Sequence, residues 1–249
     1  MLAYVFLALG LVSLMIFCIF RDKKSSSIAI CWKSVTSILF VATAVTASIY
    51  NENVLLPSAL LTVGGLVLGL VGDITLDFKI LLKNIPYGNA EKDSDNMTYV
   101  GMAAFAAGHI LYILATMLRN PADRINMLWS ALIALGLTAI IFALSLTVMK
   151  MRFGKFLLPS IGYAFLLSWF VVYSAWQISS SASVANVLLL VGAVMFIVSD
   201  LILSMTYFSK EEDYKKEGPL NPESKLMIVS NHVTYYVAQF AIALAIMFM

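Results

Sequence analysis

Charge is scarce in this sequence. Asp, Glu, Lys and Arg make up only 12% of its 249 residues, against 61% hydrophobic ones. An ordinary soluble domain is roughly 45–50% apolar and about 25% charged. A water-soluble fold of this size cannot hide so much apolar surface, so lipid must cover the remainder. Cysteine and histidine are nearly missing too, with two of each. Two thiols make no disulfide framework, and Cys18 and Cys31 read as reduced bystanders. Catalytic zinc normally takes more His or Cys than this chain offers, so Asp73, Asp77, His109 and Asp200 are not read as a metal set. Nucleotide-binding glycine loops, CxxC, HExxH and GxSxG are all absent. No cofactor, no metal and no nucleic-acid partner is expected; the partner is the lipid bilayer.

What the chain has instead is long apolar runs. Crossing a hydrocarbon core takes about 20 apolar residues in a helix. Such runs fall at approximately 2–20, 28–50, 54–76, 98–118, 127–148, 156–177, 184–207 and 227–248. They are continuous, unlike the ten-residue alternation of a membrane barrel. The expectation is an all-α bundle of eight transmembrane helices forming a single transmembrane domain over 1–249. Polar loops are expected over 83–97 and 209–225. The first run is read as a retained helix, because its basic cluster, Arg21, Lys23 and Lys24, follows it and no small-residue cleavage site comes next. Of the 16 Lys and Arg, all but Arg119 and Arg124 lie in or beside the connections after runs 1, 3, 5 and 7. The positive-inside rule then puts both termini outside and those four connections in the cytoplasm. With no eukaryotic sorting signal, a bacterial inner (plasma) membrane is the expected location.

Three acidic residues, Asp73, Asp77 and Asp200, lie within or at the end of apolar runs. A charge at bilayer depth costs roughly 2.5–3.5 kcal/mol on insertion scales, so such residues usually face a cavity and act there. Asp73 and Asp77 stand four apart and share one helix face. At about 1.5 Å per residue, Asp73, Asp200, His109, Tyr235, Tyr236 and Gln239 fall between mid-bilayer and the cytoplasmic face. They are expected to meet in one cavity there, with Lys33 near the same surface. His232 is read as belonging to the headgroup zone.

One internal similarity stands out. Gly65 precedes Asp73 by eight residues, as Gly192 precedes Asp200, and each Asp follows a small residue, Gly72 or Ser199. A polar group follows 36 positions after each Asp, His109 in one half and Tyr236 in the other. This reads as a parallel 4+4 repeat, since runs 3 and 7 point the same way.

Several of these residues also carry a resemblance. Gly72-Asp73 with Leu76-Asp77, Gly108-His109-Ile110-Leu111-Tyr112, Gly192-Ala193 through Phe196-Ile197-Val198-Ser199-Asp200, and Thr234-Tyr235-Tyr236-Val237-Ala238-Gln239 occur in order. The set resembles the YhhN family of lysoplasmalogenases over roughly 30–245. Lys33 resembles the Lys of that family's Lys-Pro motif, with Ser34 in place of the proline. The resemblance implies an eight-helix membrane hydrolase that cleaves the vinyl ether of a lysophospholipid to a fatty aldehyde and a glycerophospho-base. It implies Asp73 and Asp200 as catalytic residues. Lys33, Asp77, His109, Tyr112, Ser199, Tyr235, Tyr236 and Gln239 are implied as supporting or substrate-binding groups.

That chemistry asks for an acid to protonate carbon and a second carboxylate to steady the cation. Which Asp does which is not legible in the sequence, nor is the oligomeric state. Two other readings compete: a proton-coupled carrier, since buried Asp and His also build proton relays, and a metal-dependent lipid hydrolase.

Overall fold

An apolar run in lipid must satisfy its own peptide groups, and the helix does so within one segment. The computed structural model describes residues 1–21, 27–83, 88–121, 124–215 and 217–249. Lys23, Lys24 and Lys216, counted above among the basic connections, lie outside the described residues. The long helices are α1 (Leu2–Phe20), α2 (Ser27–Tyr50), α3 (Leu56–Lys83), α4 (Ala90–Arg119), α5 (Arg124–Thr147), α6 (Leu157–Ser180), α7 (Val184–Phe208) and α9 (Lys225–Ala245). A single turn, α8 (Glu211–Tyr214), sits between the last two. The protein is all-α, with no strand among the described residues. Among the described residues, eight helices are long and apolar enough to cross a membrane.

Two helices outrun their apolar stretches, which corrects the expected loop over 83–97. α3 continues to Lys83, and α4 starts at Ala90 rather than near residue 98. Hydropathy marks only the part of a helix at membrane depth. Beyond it, Glu91 and Asp93 in the first turn of α4 suit the positive end of the helix dipole, and Asp95 pairs with Lys155 ahead of α6. Asp77 therefore lies inside a helix, not at a solvated end. The stretch 209–225 also has structure. Tyr214 donates to the carbonyl of Thr206 at 2.7 Å, and Asn221 donates to the carbonyl of Tyr214 at 3.0 Å. These bonds fold it back over the end of α7.

Consecutive helices pack as pairs: α1 with α2, α3 with α4, α5 with α6, and α7 with α9. α9 is the buried centre, touching α1, α2, α3 and α7. In its most apolar window 67% of residues are inside the protein, against 17% in α5. That is why α9 can carry so many polar side chains.

The α3–α4 pair depends on two glycines. A Cβ at Gly65 would lie 2.3 Å from the Tyr112 ring and 3.0 Å from the Gly108 carbonyl oxygen; one at Gly108 would lie 3.0 Å from the Gly65 carbonyl oxygen. Small residues are what permit membrane helices to approach this closely. Gly65→Ala is expected to cost about 1–3 kcal/mol by overpacking. Gly136→Ala in α5, where a Cβ meets nothing within 4 Å, is expected to be neutral or mildly stabilising. Thermal unfolding of the two variants in detergent checks this, and equal melting temperatures would contradict it.

Candidate active site

Helix packing brings the buried charges to one end of the bundle, where α1, α3 and α7 finish and α2 and α9 begin. There a cavity of about 520 Å³ is lined by Arg21, Lys33, Asp73, Asp77, Asp200 and Tyr235, among others. The four-residue spacing of Asp73 and Asp77 turns both carboxylates toward α2. Lys33 Nζ lies 3.5 Å from Asp73 Oδ1 and 3.5 Å from Asp77 Oδ1, and donates to the backbone carbonyl of Asp73 at 3.3 Å. All three side chains are almost fully buried, with residue exposures of 5% or less. Arg21 Nη2 stands 3.9 Å from Asp77 Oδ1. Two cations thus face two anions, as buried charges must be paired to be tolerated.

Asp73 is also held by hydroxyls. Ser37 donates to its Oδ2 at 2.6 Å, and Tyr235 donates to the same oxygen at 2.9 Å. Behind them the donors form a relay. Gln239 Nε2 donates to the Tyr235 hydroxyl at 2.8 Å, while Gln239 Oε1 accepts from Tyr112 at 3.0 Å. On the other side the Tyr236 and Ser37 hydroxyls are 2.9 Å apart, and Tyr236 also donates to the carbonyl of Lys33 at 3.1 Å. Ser37 gives its one proton to the carboxylate, so the single Tyr236 proton is shared between the Ser37 hydroxyl and the Lys33 carbonyl. Both relays therefore end as donors on one carboxylate oxygen. Gly69 makes room for this: a Cβ there would lie 2.6 Å from Gln239 Nε2.

Asp200 has a different environment. Tyr163 of α6 donates a hydrogen bond to its Oδ2. No Lys, Arg or His among the described residues pairs with it. It also lines a second pocket of about 100 Å³, bounded by apolar side chains such as Met102, Phe105, Phe142, Leu167 and Ile197. Asp200 thus sits where the polar cavity meets an apolar one.

The expected residues divide accordingly. Asp73, Asp77, Asp200, Lys33, Ser199 and Tyr235 line the polar cavity. Tyr112, Tyr236 and Gln239 stand behind it and reach it only through hydrogen bonds. Ser199 uses its hydroxyl to bond the carbonyl of Asn231 at 3.2 Å, which clamps α7 to α9 beside Asp200. His109 lines neither cavity. Its Nδ1 bonds the Phe105 carbonyl at 2.8 Å, and its ring is packed among Phe196, Tyr112, Tyr163 and Phe170. Its Nε2 is buried without a hydrogen-bond partner.

His232, read above as belonging to the headgroup zone, is a buried wall of the cavity, with its ring 4.8 Å from that of Phe17. Arg21, Ser37, Tyr163 and Asn231 were not singled out as site residues by the sequence. Tyr163 carries no signal there, because a tyrosine inside an apolar run looks like packing. Among the described residues no three of His, Cys, Asp and Glu form a metal-ligand group.

A many-helix membrane protein whose buried acids converge in one cavity is what fold and site together define. The chain belongs to the YhhN family, whose model matches residues 28–246, nearly its whole length. No curated protein matches it, and no solved structure does.

Proposed function

We propose that this protein is a membrane hydrolase that cleaves the vinyl ether bond of lysoplasmalogens, with Asp200 as the acid and Asp73 as the charged partner. The observation that carries this reading is the position of Asp200 between the polar cavity and the apolar pocket. A lysoplasmalogen has its vinyl ether at that same kind of boundary, between a glycerophospho headgroup and an alkenyl chain. Membership of the YhhN family, which includes lysoplasmalogenases, supports the reaction class. The headgroup would occupy the larger cavity. The smaller pocket has room for only about three water volumes, so it would take the first carbons of the chain and leave the rest in lipid.

The reaction balances on these two residues and one water. Asp200 gives its proton to the alkene carbon farther from oxygen, and the double-bond electrons form that C–H bond. The adjacent carbon becomes an oxocarbenium ion, which the Asp73 carboxylate steadies electrostatically. Water attacks that carbon and passes a proton to Asp73, giving a hemiacetal. The hemiacetal hydroxyl returns a proton to Asp200 while the leaving oxygen takes the one on Asp73. The products are a fatty aldehyde and a glycerophospho-base, and both carboxyls end as they began. Asp73 suits its part because Lys33, Ser37 and Tyr235 all address it with positive charge or hydrogen-bond donors. Asp200 suits the other part because no cation holds it as an anion. The bias of basic residues supports an opening toward the cytoplasm.

Purified protein is expected to release fatty aldehyde from lysoplasmenyl-ethanolamine, with or without chelator. The saturated ether analogue and the ester analogue should give none. Absence of turnover by folded protein would refute the hydrolase, and substrate flux across liposomes would favour a carrier instead. Loss of activity with chelator would point to a metal-bound water.

A further inference from the structure

The sequence motifs and the catalytic scheme leave Arg21 unused. It follows α1 directly, seven residues before the stretch that matches the family model, and it lines the polar cavity while only 6% exposed. Its guanidinium is poorly satisfied. The Asp77 carboxylate is 3.9 Å from Nη2, beyond hydrogen-bond reach. Nε and Nη1 are buried, and neither finds a hydrogen-bond partner among the described residues. A buried charged donor without a partner is costly, and one retained against that cost is a candidate for binding something.

We propose that Arg21 anchors the phosphodiester of the lysophospholipid substrate, an assignment that rests on the hydrolase reading above. Guanidinium Nε and Nη lie in one plane and match two phosphate oxygens at once, which an ammonium cannot do. The cavity is not a basic field. Arg21, Lys33 and Lys79 share it with Asp73, Asp77, Asp200 and Glu223. The phosphate is drawn by specific unpaired N–H donors and not by net positive charge. An anchor at Arg21, at the end of α1, would hold the headgroup in the larger cavity while the chain reaches past Asp200 into the apolar pocket. Arg21 would then set which lipids are held, not how fast the bond breaks.

Equilibrium binding to protein in nanodiscs tests this without turnover, using three probes: saturated 1-O-alkyl-glycero-3-phosphoethanolamine, 1-O-alkylglycerol and inorganic phosphate. Arg21→Ala should weaken the phospholipid by about tenfold to a hundredfold and leave the alkylglycerol unchanged. Arg21→Lys, which keeps a cation opposite Asp77, should fold if the Ala variant does not and should lose less. Equal losses on both lipids, or none in either variant, would overturn the anchor. Inorganic phosphate binding as tightly as the phospholipid, and lost on mutation, would assign the site to free phosphate and remove the headgroup claim. Arg21-dependent lipid binding without any vinyl ether cleavage would keep the anchor and sink only the hydrolase.

Discussion

Asp200→Asn is expected to lower kcat for aldehyde release by about 10²–10⁴-fold, the range over which a positioned general acid contributes. An amide cannot supply the proton that the alkene carbon needs, yet it keeps the shape of the side chain and can still accept from Tyr163. Binding of the saturated ether should therefore survive. Asp73→Asn is expected to be comparably damaging for another reason. It removes the negative charge beside the developing cation and leaves Lys33 facing one carboxylate instead of two. The two variants part company in heavy water. Proton transfer to carbon in wild type should make the reaction slower in D₂O. In Asp73→Asn that solvent effect should persist, because the acid is still present. In Asp200→Asn any residual rate would come from solvent acid and should rise tenfold for each pH unit lowered. Asp200→Asn with near wild-type kcat would remove Asp200 as the acid.

The positions of these acids were legible in the sequence for a plain reason. A carboxylate inside an apolar run has few tolerable environments, so Asp73, Asp77 and Asp200 mark the cavity in the sequence alone. Their surroundings were less legible. Ser37 and Tyr163 are ordinary residues in membrane helices, and only packing decides that one reaches Asp73 and the other Asp200. Arg21 looked like a flanking loop charge because its position along the chain, just past α1, says nothing about where its side chain turns. The depth of His232 along α9 says nothing about its burial, because α9 is so enclosed by α1, α2, α3 and α7 that even its early turns are interior. Helix ends were missed for a related reason: hydropathy stops where polarity begins, and α4 starts two turns earlier on Glu91, Asp93 and Asp95.

Lys33→Met is expected to destabilise the protein by about 3–5 kcal/mol, the usual result of removing one partner from a buried ion pair. Lys33 is 3.5 Å from both Asp73 and Asp77, so its loss leaves two carboxylates one helical turn apart with only Arg21 near one of them. Asp73 retains hydrogen bonds from Ser37 and Tyr235. Asp77 has no comparable support, since its Oδ1 makes no hydrogen bond and is held by charge alone. The penalty should therefore concentrate on Asp77. Adding Asp77→Asn to Lys33→Met should recover a large part of the lost stability, a coupling that a double-mutant cycle of thermal or denaturant unfolding measures. Activity should not follow. With Lys33 gone, Asp73 still lacks the cation that keeps it charged opposite Asp200, so the stabilised double variant should remain slow. Recovery of stability and kcat together would mean that Lys33 serves only to balance Asp77. Recovery of stability alone would place its main catalytic effect on Asp73.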